Sequence, residues 1–242
     1  MLLRKDGDAT ICIGQPAHAW LSGQLARAWD PPPEPYEEVC LAATQHDAGM
    51  ADWDAAPALN PDTGLPQSFM EMDLHTHLRL WSHAPHRVLP QCSYAALLVS
   101  MHGTALYEMR DLTRMSPDDA AAVERYLEEQ RALQQRLGAG FDGDQVRRNQ
   151  QLLWAWDFLS LGLCLRWDGR SVGGMTLTDG TIEPWPFATD AVEVHTEGRR
   201  LEGRFATERD LHAALAAAPW VTLSFELRRP SAPAAGGRSR SR

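Results

Sequence analysis

The 242-residue sequence is poor in the features that announce several common protein classes. Its four cysteines, Cys12, Cys40, Cys92 and Cys164, are widely spaced with no C-x-x-C pair, so neither a disulfide framework nor a thiolate metal site is indicated. No apolar leader precedes the first candidate helix, because "MLLRKDGD" is short and charged, and a reduced, cytoplasmic protein is the expectation. The most apolar stretch, Leu152 to Leu165, is broken by Asp157 and Ser160 and is too short to span a bilayer, which argues against a membrane partner. Positive charge is scarce. With 23 Lys and Arg against 32 Asp and Glu, the net charge of −9 argues against nucleic acid as a general partner. No P-loop, G-x-S-x-G or H-E-x-x-H occurs, so NTPase, serine-esterase and zincin chemistries lack their motifs.

What the chain does have is ordinary core-forming composition, 44% hydrophobic and 23% charged. After a short strand-like "ATICIG", Pro16 opens a helix whose apolar residues, Trp20, Leu21, Leu25 and Trp29 among them, recur at helical spacing until "DPPPEP" stops it. A second helix is read over 36–47, with Gly49 as its C-terminal stop. Residues 50–73 read as one long ordered loop, anchored by Trp53 and Phe69. Helices are then predicted over 75–82, 94–109, 117–137 and 149–167, the third begun by Ser116-Pro117-Asp118-Asp119. Beyond Trp167 the pattern turns to β: an Asp-Gly hairpin in "SVGGMTLTDGTIEPWPF", strands in "AVEVH" and "RLEGRF", a capped helix at Thr207, and a closing strand "WVTLSFEL". The expected fold is mainly α. A helical metal-binding domain over 1–167 carries a small β-rich subdomain over 168–228 and a disordered tail over 229–242. Of three roles for the β part (regulatory add-on, dimer contact or cover), the cover is favoured because "EPWPF" offers aromatics that need burial; a homodimer is allowed.

Four helices each turn a metal-capable residue towards their apolar face. His18 lies with Leu21, Leu25 and Trp29; His46 with Val39, Ala42 and Ala43; His102 with Leu98 and Leu106; and Asp157 sits in a helix apolar almost all round. A lone inward histidine is more often a satisfied core residue, and a lone buried carboxylate is as readily explained by a salt bridge or a hydrogen bond. Together they favour an ion, because a buried ionised carboxylate costs on the order of several kcal/mol unless it is paired or coordinates a cation. The adjacent His46 and Asp47 point about 100° apart on a helix, yet both can converge on an ion beside its last turn. The resulting mixed N/O site suits one or two divalent ions of Mn, Fe, Co, Ni, Zn or Mg.

The order His18 … His46-Asp47 … Asp157 on successive helices resembles the HD-domain superfamily of metal-dependent phosphohydrolases. The runs "HAWLSGQLA", "QHDAGMADWDAAP", "TGLPQSF", "LLVSMHGTALY" and "DFLSLGLCL" are similar to an uncharacterised bacterial branch of it, a domain of unknown function. The resemblance covers nearly the whole chain and implies an HD-like helical bundle. It implies His18, His46, Asp47 and Asp157 as primary metal ligands, with His102 and His77 for a second ion and His75 competing with His77. Met50 stands where an aromatic pocket residue is expected. His83 and His86 are read as surface residues. The implied chemistry is hydrolysis of a small phosphate ester or nucleotide, with Asp47 as ligand and proton acceptor. A di-iron oxygenase and a non-catalytic metal- or ligand-binding module are the alternatives. No arginine is assigned to the phosphate, although Arg79 and Arg87 are near in sequence. The 50–73 loop, with Trp53, Asp54, Pro57 and Phe69, is read as a lid or wall, or as a segment merely pinned to the core.

Overall fold

In the computed structural model, which describes residues 1–230, the chain begins with a hairpin: β1 (Leu2–Asp6) pairs antiparallel with β2 (Ala9–Ile13) around Gly7. The Gly7 φ of +60° is what the tight turn requires. Six long helices follow: α1 (Gln15–Ala28), α2 (Tyr36–Gln45), α4 (Leu74–Val88), α5 (Ser93–Glu108), α6 (Pro117–Gly138) and α7 (Gly143–Leu165). Between α2 and α4 lie the short α3 (Ala51–Ala55) and a small ribbon of β3 (Leu59–Asn60) and β4 (Leu65–Pro66). The segment read as one loop is therefore largely built from short elements, each too brief to leave a periodic signature. The C-terminal part supplies β5 (Arg170–Val172), β6 (Met175–Thr178), β7 (Thr181–Glu183), β8 (Ala191–Glu202), α8 (Glu208–Ala217) and β9 (Trp220–Arg228).

The mainly-α, HD-like bundle expectation is overturned by one feature. Seven strands join in a single mixed sheet of order β1-β2-β8-β9-β7-β6-β5, so the fold is α/β. β2 pairs with β8 through Ala9↔Glu202 to Cys12↔Arg199, which joins strands from opposite ends of the sequence into one layer. "AVEVH" and the first three residues of "RLEGRF" belong to one twelve-residue strand, β8, with Gly203 to Phe205 beyond its end, and "WVTLSFEL" is the closing strand of the chain, β9, placed between β8 and β7 in the sheet. All strand pairs are antiparallel except β7 with β9.

The alternation along β8 and β9 fixes which way the sheet faces. Val194 and Thr196, paired with Phe225 and Leu223, turn towards the helices, whereas Glu193 and Glu197, paired with Glu226 and Thr222, are exposed. On the helical side α7 is the central member. Leu153, Trp156 and Leu159 are fully buried with Leu21 and Leu25 of α1 and Leu98 of α5. Burial of each such side chain is worth about 1.5–3 kcal/mol. At one end of the other face, Leu211 and Leu215 of α8 pack on Cys12 and Leu201.

Helix starts follow the side chains that cap them. Ser116 accepts from Asp119 N at α6, Thr207 from Asp210 N at α8, and Asp142 from Asp144 and Gln145 N at α7, which begins six residues before the expected start. The α6–α7 turn, Gly138-Ala139-Gly140-Phe141-Asp142-Gly143, has G-x-G-x-x-G spacing. It follows a helix instead of a strand, so it is no dinucleotide fingerprint. Asp179 and Gly180 have φ of +47° and +73°, as the Asp-Gly hairpin signal between β6 and β7 demands. Among the described residues no helix is long and apolar enough to cross a membrane. Of the tail expected to be disordered, residues 231–242 lie outside the described residues.

Cys12, Cys40 and Cys164 are buried, and burial pushes the first and last thiols up to about 12 and the second to about 11. Cys92 is partly exposed. Since the thiolate is the reactive form, iodoacetamide at mildly alkaline pH is expected to label Cys92 alone in the native protein, and all four thiols only after unfolding. Peptide mapping that finds native labelling at Cys12 or Cys164 contradicts this packing.

Candidate metal centre

Each residue of the centre is placed by the end or face of a different element. His18 is on the first turns of α1, on the same buried face as Leu21 and Leu25. His46 and Asp47 follow α2 where it gives way to a 3-10 turn, Ala48–Met50, so the two adjacent side chains escape the divergence of a continuous helix. His102 lies in α5 and Asp157 in α7. His18, His46 and His102 are buried, and Asp47 is 4% exposed.

The side chains converge. His18 Nε2 is 2.6 Å from Asp47 Oδ2. His46 Nε2 is 3.6 Å from that oxygen and 3.2 Å from Asp157 Oδ1, and His102 Nε2 is 3.5 Å from Asp157 Oδ2. His18, His46 and Asp157 each offer one ligand atom within 4.8 Å of the others. Two ligands about 2.1 Å from one tetrahedral ion stand roughly 3.4 Å apart, so the distances around His46 already match that spacing.

The hydrogen bonds behind the histidines say which nitrogen each presents. His46 Nδ1 lies 2.9 Å from the Ala43 carbonyl, to which it can only donate. His18 Nδ1 lies 2.9 Å from Ser160 Oγ, whose own proton goes to the Asp157 carbonyl at 2.8 Å, so here too Nδ1 donates. In the neutral rings both Nε2 lone pairs would face carboxylates, an arrangement that either a proton on the ring or a shared metal ion satisfies. His46 Nε2 is a buried atom with no hydrogen-bond partner, despite its 3.2 Å approach to Asp157. Burial alone would lower the His46 pKa, but Asp47 and Asp157 outweigh it and raise it to about 9. Burial likewise opposes ionisation of both carboxylates, yet the neighbouring histidines hold each below the usual carboxylate range. Lacking equally close acidic partners, His102 is pushed down by burial to about 4. The donor set and the orphaned nitrogen fit a divalent ion held by His18, His46, Asp47 and Asp157.

His77 goes elsewhere. Its Nε2 accepts from Trp81 Nε1 at 3.1 Å and its Nδ1 bonds the Tyr107 hydroxyl, so both ring nitrogens are engaged. Burial first, then the Arg110 charge, lowers its pKa to about 4 and keeps it neutral. His75 is exposed, 3.2 Å from Asp119 at the start of α6, and His83 and His86 are exposed as expected.

The centre forms the floor of a cleft of about 410 Å³, walled by Phe69, Met70, Met72, Leu74 and Leu106. The 50–73 segment thus contributes Phe69 to a wall, while Trp53 packs into the core and Asp54 accepts from the Gln15 amide at the start of α1. Met50 is buried in the main core and does not line the cleft. Arg79 is exposed and Arg87 pairs with Asp52; neither lines the cleft, whereas Arg110 does. Sequence reading missed Arg110 because it lies past the end of α5, beyond any periodic face. Ser160 carried a usable signal, three residues from Asp157 and hence on its face of α7.

A larger cavity, about 750 Å³ and mainly apolar, opens between α7, the end of α5 and the β5–β6 turn, and it holds none of these ligands. Residues 1–203 match the family described as "Protein of unknown function (DUF3891)". No curated protein and no solved structure matches the chain.

Proposed function

Since the chain belongs to the DUF3891 family, whose description assigns no activity, its function has to be argued from the centre, and we propose a metal-dependent hydrolase of a small phosphate ester. One observation carries the reading: two buried histidines, their Nδ1 atoms tied back by Ser160 and Ala43, aim Nε2 at two carboxylates on the floor of an open cleft. The order of these residues along the helices, which resembles that of HD-domain phosphohydrolases, supports the same choice; the likeness does not extend to the seven-stranded sheet.

When bound, a divalent ion would polarise a phosphoryl oxygen and bring the pKa of a bound water towards neutrality. The protein's own share is to hold the ligands and to wall the cleft above them. Asp47, kept ionised by His46 and His18, suits the part of ligand more than that of proton acceptor, because a carboxylate so stabilised is a weak base. Ser160 and the Ala43 carbonyl fix the ring tautomers, and Phe69, Met70 and Leu106 give the cleft apolar walls above the floor. With both His77 nitrogens engaged, only His102 remains for a second ion, which favours one tightly held ion over a di-iron oxygenase centre.

The test is metal analysis of protein purified without chelator, followed by a screen of phosphate monoesters and diesters with added Mn²⁺. About one ion per chain and turnover that chelator abolishes are expected. Two irons with an O₂-dependent spectrum would replace the hydrolase with an oxygenase. A stable, metal-free protein under every loading condition would leave a non-catalytic module.

A further inference from the structure

The floor of the cleft carries two carboxylates among its histidines, and the single arginine or lysine lining it among the described residues is Arg110. Arg110 is exposed and makes no ion pair among the described residues, although the chain carries a net charge of −9 and has carboxylates to spare. Its guanidinium lies over the Tyr107 ring, 4.6 Å from the centroid. That ring is itself held: Trp81 donates to His77, and His77 donates to the Tyr107 hydroxyl. The histidine that resemblance assigned to a second ion is thus part of the support beneath an arginine. A flexible surface arginine needs no such support, whereas one that must meet a ligand gains from being pre-positioned on an aromatic face.

Position along the helix decides which part of a ligand it meets. From His102, beside the metal centre, α5 runs six more residues to Glu108, about 9 Å of helix axis at 1.5 Å per residue, and Arg110 lies two residues beyond that end. The geometry points to Arg110 as the residue that recognises an anionic group of the substrate remote from the one that reacts, which narrows the substrate class to small molecules with two anionic ends. This rests on the metal-dependent hydrolase reading for the reacting end. The stretch between the ends would lie against the apolar walls at Met70, Met72 and Leu106.

The test separates binding from turnover. Calorimetry on the Mn²⁺-loaded protein compares ω-carboxyalkylphosphonates of several chain lengths with methyl-terminated alkylphosphonates of matching length, neither of which can be hydrolysed. At one or more lengths the carboxylated probe is expected to bind about tenfold tighter or better, the range for a charge-assisted contact. Arg110→Ala should bring that ratio to about one, and Arg110→Lys should retain part of it, since the charge stays while the planar fork is lost. No preference at any length, or a preference that survives Arg110→Ala, overturns the assignment. Turnover of the corresponding phosphate esters is scored separately. A preference without hydrolysis removes the hydrolase and keeps Arg110 as the anion site; hydrolysis without a preference does the reverse.

Discussion

Asp157→Asn is expected to cost about 100-fold or more in metal affinity while leaving the ion-free protein folded. Replacing groups that only support a ligand already costs on the order of 10–100-fold, and Asp157 is the carboxylate that faces the most histidines. Its Oδ1 is 3.2 Å from His46 Nε2 and 3.8 Å from His18 Nδ1, and its Oδ2 is 3.5 Å from His102 Nε2. Asparagine has nearly the same shape but no charge, so packing around Trp156 and Leu159 is kept while one of the two negative charges at the floor is removed. In ion-free protein the neighbouring histidines hold Asp157 below the usual carboxylate range, so its charge stabilises the native state, and neutralising it should lower the melting temperature in chelator. The metal-dependent increment, which follows from ligand binding to the native state alone, should vanish. Equilibrium dialysis with Mn²⁺ or Zn²⁺, paired with thermal melts in metal and in chelator, reads both. Wild-type occupancy in Asp157→Asn would assign the carboxylate to a hydrogen-bond network with His46 and leave the centre without its principal oxygen donor.

The residues of that centre were legible because each breaks a local rule. A histidine or aspartate on the apolar face of a helix stands out against its neighbours, and His18, His46, His102 and Asp157 all do so. His77 breaks the same rule yet ends on Trp81 and Tyr107, since an inward-facing imidazole satisfied by two side chains and one that faces a carboxylate look alike in one dimension. Arg110 breaks no rule at all: it is an exposed arginine after a helix, and only the fold puts it on the rim of the cleft.

The same contrast divides the fold. Caps such as Ser116-Pro117 and Thr207 are written within four residues of chain, so α6 and α8 could be placed. The sheet is held by pairings such as Ala9↔Glu202, between residues almost the whole chain apart, and no local pattern encodes such a register. β1, five residues with three charges in a row, has too little alternation to be seen until its partner is known. Legibility in this chain therefore tracks sequence separation, and it favours the ligands on helices over the layer that supports them.

Gly49→Ala is expected to destabilise the protein by about 1–3 kcal/mol, towards the upper end of the usual range for overpacking, and to weaken metal binding with it. Read from sequence, Gly49 is a helix stop, a position where the left-handed conformation is what matters. The structure gives it another reason to be glycine. It lies in the 3-10 turn immediately after His46-Asp47, its φ is not positive, and a Cβ there would stand 2.4 Å from the Leu80 carbonyl oxygen and 2.9 Å from Ala84 Cβ. The obstacle is the backbone of α4, which cannot step aside as the end of a flexible side chain can. Relief requires α4 to move away from the turn, and α4 carries His77 and Trp81 beside the cleft, so strain at Gly49 reaches the site. Gly138→Ala is the matched control. It ends α6 without a positive φ, and its added Cβ would meet only Leu97 Cδ2 at 3.8 Å, so a neutral or slightly stabilising effect of up to about 1 kcal/mol is expected from helix propensity. Urea midpoints for both variants, with metal dissociation constants measured on the folded proteins, decide the matter. Equal stability of the two would mean that α4 does not sit against the His46-Asp47 turn, and the convergence of ligands that depends on that contact would fall with it.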